Sequence, residues 1–81
     1  MFSAIVVKEI RDSNSGHAYK VGDRVRVLKK TKGEHIGIIK EIYNNGFDLM
    51  VDGYERQILF MDIDKMRAAD PGENFYNRFD F

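Results

Sequence analysis

Residues 21–61 read VGDRVRVLKKTKGEHIGIIKEIYNNGFDLMVDGYERQILFM, and their punctuation decides the fold. Four short runs of alternating or β-branched residues are set apart by turn chemistry. Asn44-Asn45-Gly46 and Asp52-Gly53 are the two corners. Both central residues of a type I′ hairpin turn need positive φ, which Asn, Asp and Gly supply. The corners predict a three-stranded antiparallel meander over residues 36–43, 47–52 and 54–60. Upstream, Gly22-Asp23 opens an earlier strand, with Val25 and Val27 aimed at the core and Arg24 and Arg26 at solvent. Residues 31–35 read as a loop. Gly37 inside a strand predicts a bulge, a bend or a close approach of backbones. The expected core is Val25, Val27, Ile39, Ile42, Phe47, Leu49, Val51, Ile58 and Phe60.

Outside this unit the signals are weaker. Residues 2–10 hold Ile5, Val6, Val7 and Ile10 and read as one added strand, because branched side chains suit a pleated surface. Residues 11–17 are polar and read as a mobile loop. Ile63 and Met66 are three apart and predict a 3₁₀ turn over residues 61–66. Asp70-Pro71-Gly72 breaks the chain. The tail, residues 71–81, carries Phe75, Tyr76, Phe79 and Phe81 and is expected to be docked or flexible.

The chain has 81 residues, enough for one domain over residues 1–70 plus the tail. A domain this small buries only about 60% of the surface its unfolded chain exposes. Net charge is zero, yet residues 1–40 carry nine Lys or Arg against four Asp or Glu, and residues 41–81 carry four against nine. Either the strands interleave and average the charge, or the two signs face different partners. The chain has no cysteine, hence no disulfide and no thiolate metal site, which fits a cytoplasmic location. The start FSAIVV is too short and lacks the cationic leader of a signal peptide. No apolar run approaches the roughly 20 residues of a membrane span, so no membrane partner is expected.

Gly22-Asp23-Arg24-Val25-Arg26-Val27, the basic loop after it, Gly33, Gly37 and Ile39 resemble the KOW motif of small SH3-like barrels over residues 22–42. Such barrels occur in ribosomal proteins and transcription elongation factors. The resemblance implies an all-β, SH3-like (KOW-like) barrel of five to six antiparallel strands, and contacts to nucleic acid from the basic strand and loop. Lys29-Lys30 stand where the family often has a loop glycine, and the step from Gly33 to Gly37 is one residue longer than usual.

Two readings of function follow, both non-catalytic. In the first, Arg24, Arg26, Lys29, Lys30 and Lys32 neutralise phosphates of RNA or DNA, with Tyr43, and also Tyr19, stacking on unpaired bases. In the second, the chain is a protein-interaction or accessory module, or a homodimer, using Met50 on the outer face of its strand and Phe75, Tyr76 and Phe79 in the tail. Met61 and Met66 fill core gaps or join an adaptable face. His17 and His35 are expected in loops without the paired spacing of a metal site. Asp48, Asp52, Asp62 and Asp64 form no calcium loop. No serine lies in a nucleophile elbow and no glycine loop cradles phosphate, so no enzyme and no cofactor is expected.

Overall fold

The computed structural model describes residues 2–5, 9–31 and 33–70. The aromatic tail, with Phe75, Tyr76 and Phe79, lies outside the described residues, as does Lys32. The described chain is mostly strand, in two antiparallel sheets. The first is β1 (Phe2–Ile5), β2 (Glu9–Asp12) and β3 (Ala18–Lys20), in chain order. The second comprises β4 (Arg24–Lys29), β5 (Glu34–Ile42), β6 (Gly46–Val51), β7 (Tyr54–Leu59) and β8 (Ile63–Ala68). Its order is β7-β6-β5-β4-β8, and a 3₁₀ turn (Phe60–Asp62) links β7 to β8.

The all-β class and the meander stand, but the strand count is corrected from five or six to eight. The N-terminal run is two strands rather than one: Ile5 pairs Glu9, and β2 returns beside β1. The polar stretch after it turns from β2 into β3. Asp12 ties that turn, accepting the Asn14 N–H at 3.0 Å and the Ser15 hydroxyl at 3.1 Å on its carboxylate. The 3₁₀ turn covers Phe60–Asp62 rather than residues 61–66. Ile63 and Met66 sit in β8, both buried, where β8 crosses over to pair with β4.

The corners differ from each other. At Asp52 (φ 49°) and Gly53 (φ 84°) both φ values are positive and Val51 pairs Tyr54, a two-residue turn of the expected kind. Neither Asn45 nor Gly46 has positive φ. That corner is longer, closed by the Tyr43 N–H donating to the Gly46 carbonyl at 2.7 Å. Gly46 is there for space: a Cβ would overlap the carbonyl oxygen of Ile58 on β7. Gly37 is the same case against the Met50 carbonyl on β6. The bulge in β5 lies further on, between Ile39 and Glu41.

One core joins the two sheets. Phe2, Ile10 and Tyr19 from the first sheet pack on Val25, Val27, Ile39, Phe47, Leu49 and Ile58 of the second. Phe60 is half-buried at its margin, its ring 6.2 Å from that of Phe47. Chain crossing between the sheets is fixed at residues 20–23, where Gly22 N–H donates to the Ile39 carbonyl and Ile39 N–H to the Asp23 carbonyl.

Candidate functional site

The described members of the basic set, Arg24, Arg26, Lys29 and Lys30, do not converge on a solvent face. Arg26 was expected to point outward and is instead 1% exposed. It lies mid-strand in β4, between β5 and β8, with Ile36 and Arg67 as its cross-strand neighbours. Its guanidinium binds Glu34, Nε at 2.8 Å and an amino group at 2.6 Å from the same carboxylate oxygen. A buried guanidinium needs such a partner, since an unpaired ion in a low dielectric is costly. Glu34 lies diagonally across the β4–β5 hairpin, so an acid two positions from the facing residue was the available signal.

Lys29 is half-buried and reaches the Asp62 carboxylate at 3.4 Å. The Thr31 hydroxyl donates to the same carboxylate at 3.0 and 3.1 Å. Burial opposes the charge on Asp62, but the Thr31 and Lys29 bonds outweigh it and hold its carboxyl below the ordinary range. Lys30 is exposed and its N–H donates to the Asp62 carbonyl. Arg24 is half-buried. Arg67 and Lys65, opposite Arg26 and Leu28, extend the cationic outer face across β8.

Tyr19 is buried, and Tyr43 is half-buried with its hydroxyl engaged. Tyr19 is 3% exposed and its hydroxyl donates to the Met66 carbonyl at 3.2 Å. Burial, and then the nearby Asp12 charge, push its pKa up. The Tyr43 hydroxyl lies 2.6 Å from Glu41 and 2.8 Å from Asp48. Hydrogen bonding to Glu41 and then to Asp48 drives its pKa far above 10. Two carboxylates around the phenol repel an approaching phosphate. Lys40, raised in pKa first by its bond to Glu55, sits in the field of Glu55, Asp48 and Glu41. The outer face is thus cationic along β4 and β8 and acidic along β5–β7.

His35 is in β5, not a loop, and half-buried opposite Val27. Burial, then Lys29 and Arg56, lower its pKa. His17 is exposed, its ring 5.3 Å from Tyr19. Among the described residues no group of three His, Cys, Asp or Glu is arranged to hold a metal ion, and no helix is long and apolar enough to cross a membrane.

The exposed apolar residues gather elsewhere. Met50 does face outward, beside Ile38, and is half-buried. At the end of β7, Leu59 and Met61 (78% exposed) border a cleft of about 330 Å³ lined by Phe2, Asn44, Asn45 and Phe60. Asn45 shapes its rim by accepting the Phe60 N–H at 2.9 Å. Sequence reasoning assigned Met61 to a core gap or an adaptable face without separating the two. The outward parity of Leu59, opposite Gly46, was the signal for the second.

No protein-family model, curated protein or solved structure matches the chain.

Proposed function

We propose that the chain is a non-catalytic binding module of the SH3-like barrel type, acting in the cytoplasm, that engages a protein partner. The observation that carries this is the apolar end of β7, where Leu59 and Met61 stand exposed around an open cleft. Such a patch costs solubility unless something covers it. Two of the five cations that a nucleic-acid reading uses are paired within the fold, Arg26 to Glu34 and Lys29 to Asp62. Zero net charge points the same way.

The test is capture of partners on immobilised protein, wild type against Met61→Glu. Met61 makes so little packing contact that the variant folds normally. A protein held by the wild type and released by the variant is the expected result. Equal capture by both, or no capture, contradicts it. Concentration-dependent self-association lost in Met61→Glu identifies the partner as a second copy.

A second reading keeps RNA or DNA as the ligand. It draws on the shared outer face of Arg24, Lys65 and Arg67, with Lys30 exposed nearby. It requires affinity that falls steeply with salt and drops further in Lys30→Ala, Lys32→Ala double variants. Binding weaker than about millimolar at low salt removes it.

A further inference from the structure

The five-stranded sheet ends in two edges, and they are treated differently. At β8 one edge group is taken, since the Met66 carbonyl accepts the Tyr19 hydroxyl of the first sheet. At β7 the only strand pairing among the described residues is with β6. The two-residue turn at Asp52-Gly53 fixes which groups that pairing uses. Such a turn is closed by a hydrogen-bonded pair, here Val51 and Tyr54, so Arg56 and Ile58 also bond to β6. The Ile58 carbonyl indeed points at Gly46. The N–H and C=O groups of Glu55, Gln57 and Leu59 therefore point away from the sheet. Tyr54 to Gln57 are all exposed, Tyr54 at 72%.

We propose that this edge is a strand-addition site for an extended segment of a partner protein, with an apolar residue opposite Leu59 and a cationic residue opposite Glu55. The inference rests on the protein-binding reading above and names its mode. Three donor–acceptor pairs at alternate positions are what an added strand uses for affinity. The added strand runs antiparallel, the more stable arrangement and the one used throughout the sheet. Its side chains beside Leu59, Gln57 and Glu55 lie on the outer face. The first meets the apolar end at Leu59 and Met61, and the last meets the acidic cluster of Glu55, Asp48 and Glu41, which acts on Lys40. The Lys40–Glu55 pair, at 2.9 Å, is half-exposed and so exchanges easily for another cation. A second copy of β7 is a poorer occupant. In the two central antiparallel registers Arg56 faces Arg56 or Gln57 faces Gln57, and neither gives charge complementarity.

The probe is the peptide TLTTTRT, whose leucine and arginine are spaced to face Leu59 and Glu55. Its twin carries an N-methyl group on the central amide, which faces Gln57 and loses one ladder bond. Both are titrated into isotope-labelled protein. The expected result is saturable shifts confined to β7 and residues 59–61, with slowed exchange of the Glu55, Gln57 and Leu59 amides. The twin binds about tenfold more weakly, and so does the Gln57→Pro variant. Proline is tolerated there because the Gln57 N–H serves no bond within the sheet. If Gln57→Pro unfolds, the twin alone decides. Equal binding of peptide and twin, or no saturable shift, overturns strand addition. A Met61-dependent partner captured alongside either negative result leaves the protein-binding reading standing. Absence of both removes both.

Discussion

Arg26 and Glu34 show what a single buried charge demands. Removing Glu34 leaves a guanidinium at 1% exposure without its carboxylate, so Glu34→Ala costs about 2–3 kcal/mol. Arg26→Met removes the charge along with the need and costs less than Glu34→Ala. Urea unfolding of the two variants gives the order directly, and the reverse order contradicts the pairing. His35 sets a pH dependence. Its folded pKa lies below the ordinary 6.5, first through burial and then through Lys29 and Arg56. The unfolded chain therefore binds the proton more readily, and the stability His35 contributes is complete above pH 6.5 and is lost as pH falls through the folded value. Urea midpoints at about pH 7.5 and about pH 5.5 show a drop that shrinks in His35→Leu. At this scale the sequence spoke plainly for the core: Val25, Val27, Ile39, Ile42, Phe47, Leu49, Val51 and Ile58 are all buried. It misled at Arg26 and Tyr19. Alternation gives the face of a residue but not what lies above that face, and a charged or aromatic residue is buried or free according to partners far away in sequence.

Among elements, the two glycine corners had the same signature and separate physics. Gly46→Ala drives a methyl group into the β7 backbone and costs at least about 1–3 kcal/mol. Asn45→Ala costs under about 0.5 kcal/mol, because Asn45 holds no positive φ and offers only its carbonyl to Phe60. Thermal unfolding of the pair distinguishes a steric glycine from a turn glycine; equal losses imply a turn that needs Asn-Gly. The local code was read correctly for β4, β6 and β7, where alternation and Asp52-Gly53 agree. It failed over residues 2–20 and 60–68. There the chain makes short strands of three to six residues, too short for a period of apolar residues to mark them. Ile63 and Met66 are buried by pairing with β4, a partner more than thirty positions upstream that no local period announces.

Over the whole molecule, folding redistributes the charge imbalance between the two halves of the sequence. The first-half strands β4 and β5 lie side by side, flanked by β6 and β7 on one side and β8 on the other, and β8 brings Lys65 and Arg67 beside β4. The account of shape and binding alike rests on the register of β7 against β6. A slip of one residue turns every β7 side chain to the opposite face and exchanges the bonded and free backbone groups. Native-state amide exchange along β7 tests this most directly. Slow exchange at Arg56 and Ile58, with fast exchange at Glu55, Gln57 and Leu59, is the predicted alternation. Protection at Glu55 and Gln57 with Arg56 and Ile58 open, or no alternation at all, would contradict it.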